Sequence, residues 1–176
     1  AARTEREFLA KFYGFKPHKV SNFGDGFAGV LYRGDRSNES ANHFCTKHLF
    51  ARLHPSAKIE HKDWWGNEID VLFTKGNHKC AVEIETGSNK PDYIADKVAK
   101  LHKPYERVIM VVPRDKLGKY RVHHDGQKVF VLTAKHAKEN LQDWLSQNAP
   151  RKTKVHAQNT DDKAKAKQPA HLGIIS

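Results

Sequence analysis

Alternating apolar and polar residues between positions 67 and 86 predict two β-strands joined by a tight turn. Successive side chains of a strand point to opposite faces, so each run should have one apolar face and one acidic face. The apolar positions expected on one face are Ile69, Val71, Phe73, Val82 and Ile84. The acidic positions expected on the other face are Glu68, Asp70, Glu83 and Glu85.

The dipeptide Gly76-Asn77 predicts a two-residue hairpin turn of type II′. This turn would pair Asp70 with Glu83, and Glu68 with Glu85, so that four carboxylates share one patch. Like charges directly opposite each other destabilise a sheet, and a divalent cation such as Mg²⁺ or Mn²⁺ would neutralise them. A solvated acidic strand face is the alternative interpretation.

Helical spacing of apolar residues predicts a helix from Asn38 to Leu53, which Ser37 or Asn38 could cap. Glu39 then lies in the first turn, where the helix dipole favours a carboxylate. A strand is expected at 57–62, before the acidic hairpin.

After the hairpin, Ser88 or Asn89 is expected to cap a helix that continues to His102. Lys90 and Lys97 lie on the border of its buried stripe, where a lysine can reach over the end of the sheet. Residues 107–112 form a nearly continuous apolar run, typical of a strand buried on both faces. Asp125-Gly126 predicts a hairpin of strands 119–123 and 127–132, and 134–147 reads as a closing helix.

The chain divides into three parts by pattern. Residues 1–36 combine a helix from Thr4 to Phe15 with a glycine-containing segment whose pattern assigns no element. Within that segment, residues 21–26 are expected to form ordinary turns, with a phosphate-binding loop as the alternative. Residues 37–149 hold the periodic elements and form the predicted core. Residues 150–176 lose periodicity and carry a net positive charge, so a flexible basic arm is expected.

Charge points to the class of partner. The 176 residues contain 31 Lys and Arg against 20 Asp and Glu, a net charge of +11. A polyanion is therefore the expected partner, and nucleic acid is favoured over a membrane surface because no basic amphipathic helix has a broad apolar face. No apolar run reaches the roughly 18 residues of a membrane span and no signal peptide opens the chain, so we expect a cytoplasmic protein.

Trp64 and Trp65 stand between the first predicted strand and the acidic hairpin. Neighbouring side chains of an extended backbone point to opposite sides, so one of the two tryptophans should be exposed. An exposed indole beside an anion-binding site could stack on a base or wedge into a duplex. Packing beneath a loop is the alternative.

The predicted order αβββαβ, with Asp70 on the second strand and Glu83-Ile84-Glu85 on the third, resembles the PD-(D/E)XK nuclease superfamily. The resemblance covers about residues 37–112 and implies an α/β, restriction-endonuclease-like core with a mixed central sheet flanked by helices. It implies that Asp70, Glu83 and the Ile84 carbonyl bind Mg²⁺, with Mn²⁺ as a substitute, and Glu39 matches the acidic residue many members carry in the preceding helix.

Two positions depart from the family pattern. Ile69 stands where many members have proline, and Glu85 replaces the lysine of the last motif. A glutamate there could bind a second metal or act as a general base, as in members with a Glu-x-Glu arrangement. Alternatively, Lys97 or Lys90 of the following helix could supply the missing positive charge.

The resemblance implies a metal-dependent DNA endonuclease, and a homodimer would suit cleavage of both strands. Archaeal Holliday-junction resolvases are similar in element order and give the second substrate assignment. A non-catalytic nucleic-acid-binding protein on a nuclease-like fold is the alternative function.

Overall fold

The computed structural model describes residues 16–21, 28–33 and 39–147, together with Glu7 and Lys11. Most of the predicted helix from Thr4 to Phe15, the glycine-rich segment 22–27 and the basic arm 150–176 lie outside the described residues. Within the described part, no helix is both long and apolar enough to cross a membrane.

Two short strands precede the core. β1 (Lys16–Ser21) and β2 (Ala28–Arg33) form an antiparallel hairpin, and most of the predicted turn at 21–26, between them, lies outside the described residues. β1 contacts the first long helix, α1 (Ala41–Ala51). The hairpin therefore lies beside the core sheet as a separate two-stranded sheet.

The core is a mixed five-stranded sheet in the order β3-β4-β5-β6-β7. Its strands are β3 (Lys58–Lys62), β4 (Glu68–Lys75), β5 (His78–Ile84), β6 (Arg107–Val111) and β7 (Val129–Leu132). The first three form an antiparallel meander, and helix α2 (Pro91–His102) carries the chain across to β6, which pairs in parallel with β5. The predicted αβββαβ order is present, and the prediction of a mixed sheet is confirmed.

Apolar side chains on both faces of the sheet are covered by helices, as predicted. On one face, Phe73 and Val82 pack with Phe50 of α1 and with helix α4 (Ala134–Gln147). The residues of α4 predicted to point inward, Ala137, Leu141, Trp144 and Leu145, are all buried there. On the other face, Leu72 and Ala81 pack with Ile94 and Leu101 of α2.

The predicted hairpin around Asp125-Gly126 is wrong. Residues 114–123 form short helical turns, including α3 (Leu117–Tyr120), which buries the Tyr120 ring in the core. The Asp125 carboxylate accepts hydrogen bonds from the backbone amides of residues 127, 128 and 129. This turn delivers β7 as the edge strand of the sheet and a parallel partner of β6, while residues 119–123 are helical and place Tyr120 in the core instead of pairing with β7.

Strict alternation fails at one position of β4. Ile69 was expected on the same face as Val71 and Phe73, but it packs with Leu72 in the cluster beneath α2. The pairing of β3 with β4 also skips the position of Glu60 and Asp70, where Glu60 has a φ of 51°. Both the change of face along β4 and the gap in its pairing with β3 therefore lie at Asp70.

Candidate active site

The turn between β4 and β5 has the predicted register. Pairs run from Val71 with Val82 to Lys75 with His78, and Gly76 has a φ of 59°, which glycine adopts without strain. Continued by one step, this register places Asp70 opposite Glu83. The two acids lie just beyond the paired part of the hairpin, at the end of the sheet where β4 begins and β5 ends.

Asp70 is held from two elements. Its Oδ2 accepts a hydrogen bond of 2.8 Å from the Ile84 amide and lies 3.2 Å from Nε2 of His43. Burial would raise the pKa of Asp70, but the hydrogen bond and charge of His43, the charge of Lys97 and the Ile84 amide outweigh it and lower the pKa. Asp70 is therefore a carboxylate at neutral pH, with one oxygen already engaged.

Glu39, just before α1, and His43 and Lys47 of α1 form a row of three charged or titratable side chains. Glu39 contacts Nδ1 of His43, and Nζ of Lys47 lies 2.7 Å from Oε1 of Glu39. Residues four apart lie on one face of a helix, so positions 39, 43 and 47 line up toward Asp70. Burial would lower the pKa of His43, but Asp70 and Glu39 raise it on balance.

The predicted start of α1 needs correction. Ser40, rather than Ser37 or Asn38, caps the helix, and its side chain accepts a hydrogen bond from the His43 amide. Glu39 therefore precedes the cap and does not lie in the first turn. It still faces the site, because its carboxylate reaches back to His43 and Lys47. Neither partner was predicted from the sequence, although both lie at helical spacing from Glu39, four and eight residues on.

Lys97 is the cation that faces the acids of β5. Its Nζ lies 2.7 Å from Oε2 of Glu83 and 2.9 Å from Oε1 of Glu85. Asn89 also donates a hydrogen bond of 2.7 Å to Glu85. Lys97 thus reaches over the end of the sheet as predicted, from a helix whose N-cap is Lys90 rather than Ser88 or Asn89.

Glu83 is the least satisfied of these acids. Its side chain is 1% exposed, and neither carboxylate oxygen has a hydrogen-bond partner of good geometry among the described residues, although Lys97 is within ion-pair distance. Burial raises the pKa of Glu83 to about 8 against the opposing charge of Lys97. A buried carboxylate of this kind costs free energy, which a further ligand would recover.

Glu68 does not belong to the cluster, contrary to the expectation of four carboxylates in one patch. Its side chain is exposed and forms an ion pair with Lys62 on β3. Glu85, its expected partner, points instead to Lys97 and Asn89 and is buried. The fourth acid of the site is Glu39, which lies immediately before the N-cap of α1.

These side chains line an open cleft of about 730 Å³. Asp70, Ile84 and Glu85 line it from the sheet, Glu39 from the chain before α1, and Lys97 from α2. Glu83 lies behind Lys97 and is not itself part of the lining.

Three of the residues proposed to bind nucleic acid lie outside the cleft. Lys90 is exposed at the start of α2 and does not line it. Trp64 and Trp65 are both exposed, in the turn between β3 and β4, where only one had been expected to be exposed. Lys97 alone of the four is part of the site.

The oxygen atoms at the site fit in part the Mg²⁺ that was expected from the sequence. Asp70 and Glu83 are hard oxygen donors of the kind that Mg²⁺ prefers, and the unsatisfied Glu83 carboxylate fits such an ion. In the described part of the chain, however, no three His, Cys, Asp or Glu side chains already form a metal-binding group. Lys97 and His43 compensate the acids instead, so ion binding would need Lys97 to move away from Glu83.

Comparison with models of known protein families gives no match, and comparison with curated proteins gives no significant match.

Proposed function

We propose that this protein is a metal-dependent nuclease that hydrolyses DNA phosphodiester bonds, acting as an endonuclease on a restriction-endonuclease-like core. One observation carries the proposal. The buried carboxyl group of Glu83, whose pKa is raised by burial, lies beside Asp70 at the end of the sheet with Lys97 2.7 Å away, in a protein of net charge +11. Buried acids with perturbed pKa values beside a cleft are typical of catalytic sites.

The residues have separate roles in this proposal. Asp70 and Glu83, with the carbonyl of Ile84, hold Mg²⁺ or Mn²⁺, and the Ile84 amide fixes the orientation of the Asp70 carboxylate. A bound Mg²⁺ supplies a water of lowered pKa and stabilises charge on the phosphate. Lys97 takes the place of the absent motif lysine, and Glu85 holds its ammonium at the site. Glu39 positions His43, which in turn contacts Asp70.

The first test is cleavage of plasmid, supercoiled and four-way-junction DNA with Mg²⁺, Mn²⁺ or a chelator. Asp70→Asn and Glu83→Gln should each lower the rate at least ~10²-fold, since each removes a charge that holds the ion. Glu106→Gln is the matched control, because Glu106 is an exposed acid that pairs with His78 and does not line the cleft. Unchanged cleavage by Asp70→Asn would remove the proposed site.

Preference among the DNA substrates distinguishes the two assignments within this function. Selective cutting of the four-way junction would favour a Holliday-junction resolvase, and equal cutting of linear duplex would favour a general endonuclease. Sedimentation of the protein on DNA would test the homodimer that paired cutting needs.

A second function is favoured by one observation: Lys97 already neutralises Glu83 and Glu85 without a metal. A protein with this internal ion pair could bind DNA through its positive charge and cut nothing. Mn²⁺ titration by calorimetry separates the functions. DNA binding without measurable ion binding or cleavage would favour the non-catalytic protein.

A further inference from the structure

The turn at residues 63–67, between β3 and β4, presents two indole rings to solvent. Trp64 is 99% exposed and Trp65 is 70% exposed. A contiguous exposed apolar patch rimmed by polar residues is typical of an interaction site, and two adjacent indole rings form such a patch. The third tryptophan, Trp144, is buried in the core, so the exposure belongs to this turn.

The turn is built firmly around Asp63. One carboxylate oxygen accepts hydrogen bonds from the backbone amides of Trp65 and Asn67, each 2.9 Å long. The other accepts from the Asn67 side chain and from the hydroxyl of Tyr105, whose ring is buried in the core. Gly66 completes the turn with a φ of 77°. The two rings are thus carried on an ordered backbone that is tied to the core, which lowers the entropy cost of a contact.

The surroundings of the rings are basic. A groove of about 490 Å³ beside them is lined by Lys58, Lys62 and Lys79 as well as by Trp64 and Trp65. Lys62 lines both this groove and the cleft that holds Asp70. Acidic side chains outnumber lysines in the lining of the cleft, so a chain of phosphates there would need the bound cation. From Lys62 onward the same chain would meet the lysines of the groove and the two tryptophans.

We infer that Trp64 and Trp65 form a stacking platform for unpaired bases of single-stranded DNA that extends from the cleft. The inference rests on the proposed function, since a DNA strand in the cleft is what reaches the turn. Aromatic rings beside lysines bind single strands because every base has a face to stack on, whereas the bases of an intact duplex are already stacked. The platform would favour substrates with a single-stranded flank, a branch or an open end.

The test measures binding without metal, in the Asp70→Asn background, so that no cleavage interferes. The probes are an oligothymidylate, an abasic oligonucleotide with the same number of phosphates, and a blunt duplex. The oligothymidylate should quench tryptophan fluorescence, and the abasic strand should not, because it has no bases to stack on the rings. The signal reports on Trp64 and Trp65, since Trp144 is buried and cannot contact a base. The double variant Trp64→Ala, Trp65→Ala should bind oligothymidylate roughly 5- to 150-fold more weakly, which corresponds to about 1–3 kcal/mol for lost stacking.

Three further variants separate stacking from charge and from folding. Trp65→Phe keeps an aromatic face and should retain most of the affinity. Lys62→Gln should weaken the oligothymidylate and the abasic strand by equal factors, because it removes only a phosphate contact. Val122→Ala shortens an exposed apolar side chain outside the turn, and it should change the affinity for neither oligothymidylate nor the abasic strand.

Several outcomes would overturn the platform. Equal affinity of the double variant and its parent for oligothymidylate is one. Another is fluorescence that responds to phosphatidylserine vesicles but not to DNA, which would assign the turn to a membrane surface. A third is tryptophan fluorescence that changes with protein concentration in the absence of DNA, together with a dimer in sedimentation. Absence of metal-dependent cleavage by the wild-type protein would instead overturn the proposed function and leave base-dependent binding in place.

Discussion

Glu60 has a left-handed backbone conformation, with a φ of 51°, and its carboxylate accepts a hydrogen bond of 2.6 Å from the buried Nζ of Lys47. A left-handed conformation costs a non-glycine residue about 1–2 kcal/mol. The ammonium also lies 2.7 Å from Glu39, so it joins β3 to the residue before α1. Burial would lower the pKa of Lys47, but the two carboxylates raise it on balance.

Lys47→Met should therefore destabilise the protein. Methionine keeps the volume of the side chain but leaves Glu39 and Glu60 without their shared cation. We expect a loss of about 3 kcal/mol, at the lower end for breaking a buried ion pair, because Glu60 itself is exposed and Glu39 retains His43. Urea unfolding followed by circular dichroism measures the change in free energy.

Two variants serve as controls for this value. Lys62→Met breaks an ion pair whose partners are both 71% exposed, and it should cost no more than about 0.5 kcal/mol. Glu60→Gly loses the same hydrogen bond but relieves the left-handed backbone, so it should cost less than Lys47→Met. Equal losses for Lys47→Met and Lys62→Met would show that burial of the ammonium adds nothing.

Removal of Lys97 tests whether an ion can take its place. Lys97→Met leaves Glu83 and Glu85, each 1% exposed, without their common cation and should cost about 3–5 kcal/mol. Mn²⁺ should raise the melting temperature of this variant more than that of the wild-type protein, because the ion no longer competes with an ammonium. Differential scanning fluorimetry across an Mn²⁺ series measures the shifts.

Lys100→Met, on the exposed surface of the same helix, is the matched variant for this experiment. It should melt like the wild-type protein with and without Mn²⁺. If Mn²⁺ changes the melting temperature of neither the wild-type protein nor Lys97→Met, the acids beside Lys97 do not form a cation site.

The core elements were predictable where local pattern and tertiary structure agree. Gly76-Asn77 fixed the hairpin register because the turn conformation leaves one pairing, and the apolar run at 107–112 could only be a strand buried on both faces. The face of Lys97 followed from helical spacing alone. These features depend on residues close in sequence.

The failures depend on distant contacts. Asp125-Gly126 looks like a hairpin turn, but Tyr120 packs into the core from a short helix, so residues 119–123 do not extend along the free edge of β7. The roles of His43 and Lys47 appear only when α1 lies against β3 and β4. Glu68 was assigned to the acidic patch from alternation, which cannot foresee that Lys62 holds its carboxylate on the surface.

Glycine at position 87 is expected to be needed for the geometry of the site. Its φ is 94°, and a Cβ there would lie 2.9 Å from Cγ of Lys116. Gly87→Ala should cost about 1–3 kcal/mol in unfolding free energy from backbone strain. It should also slow cleavage, because this glycine lies between Glu85 and Asn89, which hydrogen bond to each other.

Gly118→Ala is the matched substitution. Gly118 lies in the short helix α3, and a Cβ there would meet no atom within 4 Å. Alanine is favoured over glycine in a helix, so stability should rise by about 0.5–1 kcal/mol with cleavage unchanged. A loss of stability in Gly118→Ala equal to that in Gly87→Ala would rule out strain at position 87 as the cause.

The Asp63 turn should make stability depend on pH in the acid range. Burial would raise the pKa of Asp63, but hydrogen bonds from Asn67, Tyr105 and Trp65 outweigh it and lower the pKa below the ordinary 3.8. A lowered pKa means that the unfolded chain binds this proton more readily than the folded one. The stabilisation by Asp63 is therefore complete above pH 3.8 and is lost as pH falls through the lower pKa of the folded state.

Asp63→Asn isolates this contribution, because an amide cannot accept all four of the hydrogen bonds that the carboxylate accepts. At neutral pH the variant should be less stable by about 1–3 kcal/mol. The difference from wild-type protein should shrink as the pH is lowered below 3.8, since protonated Asp63 also loses acceptor capacity. Urea unfolding of both proteins across this pH range measures it, and a difference that stays constant with pH would contradict a lowered pKa at Asp63.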